Sequence, residues 1–239
     1  MPDELEIERI LVVTAHPDDV DFGTAGSVAT WTAQGIDVSY CIVTDGEAGG
    51  SDPSVPRPEM AAIRRAEQTA AAECVGVTDL TFLGYPDGRL QPTIELRRDI
   101  SRVIRQVRPQ RVVGQSPQRN FQRIYASHPD HLAAGEATLC AVYPDARNLF
   151  AHPELLNEEG LEPWTVPEMW MMVGADVNVH VDTTDVIDRK VKALLSHTSQ
   201  IADADAMDNL IRQWGAGIAK SVGLPEGSYA EAFQRIDTG

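Results

Sequence analysis

The chain has 239 residues, and its 20 basic and 36 acidic side chains give a formal charge of −16. A hydrophobic fraction of 43% with 23% charged residues is ordinary globular composition, which excludes a disordered chain or a repetitive fibre. The acidic balance, with no run of four Lys or Arg, argues against nucleic acid and anionic lipid surfaces and favours small-molecule partners.

The first eight residues are acidic where a secretory signal would be basic, and the apolar run Ile10 to Val13 is too short to cross a bilayer. That run predicts a buried strand, followed by a helix from about Gly23 to Gln34 that Gly35 ends. Val38 to Val43 predicts a second strand. A helix is expected from about Pro58 to Val75, with Ile63, Ala66, Ala70 and Cys74 on one face and Gly76 past its end. Leu80 to Leu83 and Arg111 to Gly114 predict strands on either side of a helix over Ile94 to Val107. Repeated strand–helix units imply a Rossmann-like α/β fold, a mostly parallel sheet with helices on both faces. Such sheets bind ligands beyond the carboxyl ends of their strands, where strand order reverses.

Tyr143 to Val166 predicts a long connection with the character of a flap. Met169 to Val173 and Val177 to Val181 predict two more strands, then a helix over Thr183 to Thr198, a helical region over Asp203 to Val222 and a Gly/Pro-containing tail. No repeat or linker interrupts the chain, so residues 1–239 are expected to form one domain, with 1–145 as the core and 146–239 as its less regular completion. Cys41, Cys74 and Cys140 cannot all pair, and each sits in an apolar stretch that predicts core; a reduced, cytoplasmic protein is expected. A homo-oligomer is compatible with the composition.

Two clusters carry the chemistry. The first strand runs directly into Ala15-His16-Pro17-Asp18-Asp19, and Ser127-His128-Pro129-Asp130-His131 follows the Arg111 to Gly114 strand. Taken singly, each has a local explanation: Asp18 or Asp19 as a helix cap, His128 and His131 as exposed residues of a helix start. Two His-Pro-Asp tripeptides on the same rim of one sheet favour metal binding. Two imidazoles and a carboxylate leave an open position on zinc for water, a second carboxylate can take its proton, and a further histidine can stabilise the oxyanion. His16, Asp19 and His131 are candidate ligands, Asp18 a candidate base, His128 a candidate acid or electrostatic partner, and Asp130 a candidate for orienting an imidazole. Spacing alone does not assign these roles individually.

The pair Ala15-His16-Pro17-Asp18-Asp19 and His128-Pro129-Asp130-His131 resembles the PIG-L/LmbE-like family of zinc-dependent N-acetylglucosaminyl deacetylases, over roughly the first 145 residues. The resemblance implies one Zn2+ on His16, Asp19 and His131, Asp18 as general base and His128 beside the scissile carbonyl. It also implies that Arg64 and Asp87 contact a sugar; the local alternatives are an exposed helix arginine paired with an acid and a Pro-Asp-Gly turn. The implied substrate is a small molecule carrying an N-acetylated amino sugar. Amidase action on another small amide such as a thiol conjugate, and non-catalytic sugar or metal binding, are the alternatives. Many members continue the first motif with glutamate, where this chain has Val20-Asp21-Phe22-Gly23, so a polar contact beside the site is expected to be missing or moved. Tyr125 is offset from the position of a mobile tyrosine in some members and receives no role. For His197, reach into the pocket and contact with helix-end carbonyls are both open.

Overall fold

The computed structural model describes residues 5–121 and 124–239. β1 (Arg9–Thr14), β2 (Asp37–Thr44), β3 (Asp79–Tyr85), β4 (Arg111–Gln115) and β5 (Glu168–Met172) run parallel in one sheet that β6 (Val179–Asp182) and β7 (Ala230–Asp237) complete. Strand order is β3-β2-β1-β4-β5-β7-β6, with β7 antiparallel to both neighbours. The helices are α1 (Asp19–Gly23), α2 (Ala25–Ala33), α3 (Arg57–Cys74), α4 (Ile94–Val107), α5 (Pro129–Cys140), α6 (Pro153–Asn157), α7 (Ile187–Leu195) and α8 (Ala204–Ser221). This is the mixed α/β architecture that the strand–helix alternation predicts.

Successive strand side chains point to opposite faces. Leu11 and Val13 of β1 therefore pack with Leu96, Ile100 and Ile104 of α4 and Ala134 and Ala137 of α5, whereas Ile10 and Val12 pack with Val28 of α2, Ala71 and Ala72 of α3 and Ala193 of α7. Coverage of both faces is why β1 is an unbroken apolar run. From β1 the chain winds outward through β2 to β3, and from β4 it winds the other way to β5. The order reverses between β1 and β4, so the loops leaving these two strands flank the crevice of a doubly wound sheet. Among the described residues, no helix is long and apolar enough to cross a membrane.

Five local expectations are corrected. The helix expected over 23–34 is two helices broken at Thr24, because α2 must begin afresh to aim the N–H groups of Gly26 and Ser27 at the buried Glu231 carboxylate, 3.0 and 2.7 Å away. The buried face of α3 is Met60, Arg64, Glu67, Gln68, Ala71 and Ala72, not the predicted face, of which Ala66 and Ala70 are exposed. Residues 143–166 are not a flap. Buried Arg105 of α4 donates to the carbonyls of Asp145, Ala146, Asn148, Ala151 and Leu161 and straps this connection to the helix. The tail contains β7, which buries Glu231 on the same strand face as Phe233. Of the three free cysteines only Cys41 is buried.

Candidate active site

β1 ends at Thr14, and the chain turns at Pro17 into α1, so that His16, Asp18 and Asp19 line the crevice. Asp18 stands at the head of α1 with φ 88. The backbone N–H of His16 donates to Asp19 Oδ2 at 2.8 Å, so the first motif is closed on itself before any other element touches it. On the other side of the crevice, His128 heads α5, and its Nδ1 accepts the Asp130 N–H at 3.2 Å. With Nδ1 accepting, the neutral ring carries its proton on Nε2. Gly135 lets α5 sit close to the end of β4, since a Cβ there would lie 2.5 Å from the Gln115 carbonyl oxygen.

The two motifs meet. The Asp19 carboxylate lies between the two imidazoles, with Oδ2 3.3 Å from His16 Nδ1 and Oδ1 3.0 Å from His131 Nε2. The opposite ring nitrogen of His16, Nε2, is 3.1 Å from Asp130 Oδ2 and 3.0 Å from Asp87 Oδ1. Those two acids are themselves held: Asp130 accepts the N–H groups of Gly88 and Leu90, and Asp87 accepts that of Ala48. Asp130 thus sits where an imidazole-orienting carboxylate is expected. Asp87 shares that contact with the ring and also lines the cavity.

Arg64 is buried, not an exposed helix residue. From α3 its guanidinium donates to Asp18 Oδ2 at 2.8 Å, the Pro17 carbonyl at 2.5 Å and the Gly46 carbonyl at 3.0 Å. It ties the loop after β1 to the loop after β2. Gly46 has a positive φ of 65° and passes so close to this guanidinium that a Cβ would collide with it, so the position takes only glycine.

The electrostatics follow from four carboxylates around one crevice. Burial and the neighbouring Asp19 charge push the Asp18 carboxyl up to about 6, against the opposing pull of Arg64. Burial would raise Asp19, but His131 and His16 hold it well below the usual carboxylate range. Burial would lower His16, yet hydrogen bonds to Asp130, Asp19 and Asp87 outweigh it and push the imidazole up to about 12. His131 is raised, the Asp19 charge and hydrogen bond overcoming burial. His128 is lowered by burial and by the charges of His16 and His131, so it is neutral near pH 7.

A cavity of about 740 Å³ opens over this cluster, within the range of roughly 300–1,000 Å³ typical of small-molecule sites. His16, Asp18, Asp19, Arg64, Asp87, His128 and His131 are among its polar lining, and Phe22, Met172, Met207, Leu210 and Trp214 among its apolar lining. The wall that α8 supplies escapes a reading of the sequence, because apolar residues on a late helix look like core until the helix is placed. Tyr125 lines the cavity from a 3-10 turn. His197 does not reach the cavity; it is fully buried, with Nε2 2.8 Å from Asp21 Oδ2. Asp21, two residues past the first motif, is fully buried and does not line the cavity. It also accepts from Gln68 of α3, a residue to which no motif points.

The donor set fits a divalent cation. His16, His128 and His131 each present a nitrogen within 4.8 Å of the others. Asp19 faces two of these rings, and among the described residues Asp18, Asp19, Asp87 and Asp130 gather here beside the Arg64 guanidinium. A divalent ion on the Nδ1 side of His16 would neutralise the charge that two raised imidazoles otherwise have to balance.

Residues 11–142 match the family model PIG-L, GlcNAc-PI de-N-acetylase. The chain is 33% identical over 198 residues to the diacetylchitobiose deacetylase of Thermococcus kodakarensis, covering 83% of this chain and 72% of that one. It is 29% identical over 222 residues to a probable N-acetyl-alpha-D-glucosaminyl L-malate deacetylase 2 of Bacillus anthracis, covering 90% of each. Among solved structures, the N,N'-diacetylchitobiose deacetylase of Pyrococcus horikoshii superposes with a TM-score of 0.88 at 28% identity, covering 98% of this chain and 85% of that one. The 4-carboxy-2-hydroxymuconate hydratase GalB of Pseudomonas putida superposes with a TM-score of 0.78 at 22% identity, covering 96% of each, which shows the fold alone. One fold thus carries unlike chemistries, and function has to be argued from the site. With more than half of its length matched by the model and a relative one-third identical over most of the chain, the protein belongs to the PIG-L (GlcNAc-PI de-N-acetylase) family.

Proposed function

We propose that the chain is a zinc-dependent hydrolase that removes the N-acetyl group from a small molecule containing an N-acetylated amino sugar. The observation that carries this reading is the Asp19 carboxylate between His16 Nδ1 and His131 Nε2 in the polar lining of the cavity, with Asp18 the adjoining residue. His16, Asp19 and His131 would hold the ion. When bound, zinc supplies a Lewis acid for the amide carbonyl and lowers the pKa of water beside it towards neutrality.

The protein's own groups then account for the proton traffic. Asp18, lining the cavity next to Asp19 with its carboxylate held by Arg64, is placed as the base that takes a proton from the attacking water. As the new C–O bond forms, negative charge gathers on the former carbonyl oxygen, and neutral His128 donates its Nε2 proton in a hydrogen bond to it. Asp18 passes the acquired proton to the amide nitrogen, the C–N bond breaks, and the second water proton, released as the acetic acid ionises, is taken up by the amine, so that acetate and an ammonium leave. Arg64 keeps Asp18 in place and its carboxyl from rising further.

The named relatives act on acetylated chitobiose and glucosaminyl compounds, and the cavity accommodates ligands of that size. The charge of −16 and the three free cysteines support small substrates and a reducing, cytoplasmic location over nucleic acid or lipid. The test is acetate release from a panel of N-acetylglucosaminides by zinc-loaded protein, paired with Asp18→Ala. The variant is expected to lose about 10²–10⁴-fold in kcat while keeping its zinc. Full activity in the variant would overturn the base assignment, and zinc without acetate release from any substrate would overturn the deacetylase reading.

A further inference from the structure

Behind Asp18, on the side away from the cavity, a buried polar chain runs through the protein. Asp18 adopts the left-handed backbone region with φ 88, which a non-glycine residue holds only when its surroundings over-determine it. The Asp18 N–H donates to Gln68 Oε1 at 2.8 Å. Gln68 Nε2 donates to Asp21 Oδ2 at 2.9 Å, and that same oxygen lies 2.8 Å from His197 Nε2. Gln68, Asp21 and His197 are all fully buried. The direction of the Gln68 amide follows from chemistry: a carboxylate oxygen only accepts, so the NH2 faces Asp21 and the carbonyl faces Asp18. Flipping the amide would set two acceptors against each other at one end and two donors at the other.

This chain does not touch the acetyl group's side of the cavity; neither Gln68, Asp21 nor His197 lines it. It reaches the site through the backbone of Asp18. Arg64, one turn earlier on α3, holds the carboxylate of the same residue. One helix face therefore grips Asp18 at both ends, main chain and side chain.

We propose that Gln68, aligned by Asp21 and His197, is a positioning residue that holds the Asp18 backbone in its left-handed conformation and so aims its carboxylate at the reacting water. The proposal rests on the reading of Asp18 as the base. It explains why α3 buries polar residues where an amphipathic helix would bury apolar ones, and why an acid stands at position 21, two residues past the first motif.

The test uses donor–acceptor inversion. Gln68→Glu sets a carboxylate against Asp21. In the double variant Asp21→Asn/Gln68→Glu, the amide introduced at position 21 donates one proton to the carboxylate introduced at position 68 and the other to His197 Nε2 in its alternative tautomer. That carboxylate still accepts from the Asp18 N–H. Gln68→Met, similar in length, removes both bonds without adding charge. Zinc-loaded proteins are compared for kcat, KM, zinc content and Tm. Gln68→Glu and Gln68→Met are expected to lose about 10- to 100-fold in kcat with KM within about threefold and zinc content unchanged, a pattern that marks a transition-state interaction. The double variant is expected to recover to within about threefold of wild-type kcat. Wild-type kcat in Gln68→Met, absence of recovery in the double variant, or zinc loss in step with kcat would each overturn the proposal; if Gln68→Glu does not fold, Gln68→Met and the double variant decide. A wild-type chain that releases no acetate from any substrate overturns instead the reading on which the proposal rests.

Discussion

His16 shows how a single ring is used on both edges. Nδ1 faces Asp19, and Nε2 faces Asp130 and Asp87, so the acids behind the ring fix its tautomer and leave the Nδ1 lone pair for an ion. Asp130 carries more of this than Asp87, because it also accepts the N–H groups of Gly88 and Leu90. Asp130→Ala is therefore expected to weaken zinc binding by about 10- to 100-fold, measured by competition with a chromophoric chelator; Asp87→Asn, which leaves Asp130 in place, should weaken it less. Equal effects would mean that neither acid dominates the ring's orientation. The ligand-type residues are legible in the sequence because each motif packs several of them into five positions. Gln68, Asp21 and His197 are not, because a buried amide or acid that serves a backbone N–H fifty residues away leaves no local spacing to read. Arg64 is legible as a position but not in its contacts, since nothing in the sequence says that a helical arginine will reach a loop carbonyl.

At the scale of elements, the strands and most helices can be read because hydrophobic period and capping agree, as in α4, where Thr93 caps the helix and Leu96, Ile100 and Ile104 bury one face. The same rule selects the wrong face of α3, since that helix turns Arg64, Glu67 and Gln68 inward to bind loops; Glu67 accepts from Thr198 and Ser199. β7 escapes it for a related reason. Its Glu231 is buried, accepting from Gly26 N, Ser27 N and Ser27 Oγ and pairing with Lys190 Nζ at 2.5 Å. One carboxylate thus fastens the start of α2, α7 and the last strand together. Glu231→Ala leaves a buried ammonium uncompensated and is expected to cost about 3–5 kcal/mol of stability, read from the urea midpoint. A Glu231→Ala/Lys190→Met double variant should recover part of the loss, because it removes both charges; a double variant no more stable than the single would show that the helix-start contacts, not the pair, carry the effect.

Over the whole molecule, the candidate ligands come from both sides of the point where strand order reverses, His16 and Asp19 after β1 and His131 at the start of α5 after β4. An ion held by all three would cross-link the two halves of the sheet, so its binding free energy is expected to appear as folding stability. At 100 times the dissociation constant the gain is about 2.7 kcal/mol, or roughly 5–10 °C in Tm for a domain of this size. The pH dependence has a definite sign. In the zinc-free protein the raised His16 adds stability that is complete below its unfolded value of 6.5 and is lost as pH rises towards about 12. Zinc competes with the protons on His16 and His131, so its affinity moves the other way and increases with pH. These are two sides of one exchange of protons for the ion, and it widens the difference between zinc-loaded and zinc-free protein from pH 6 to pH 8. Thermal denaturation with and without zinc at those two values should therefore show a larger shift at pH 8 for the wild type and little shift at either pH for His131→Ala; a shift that is independent of pH, or that survives in His131→Ala, would place the ion elsewhere.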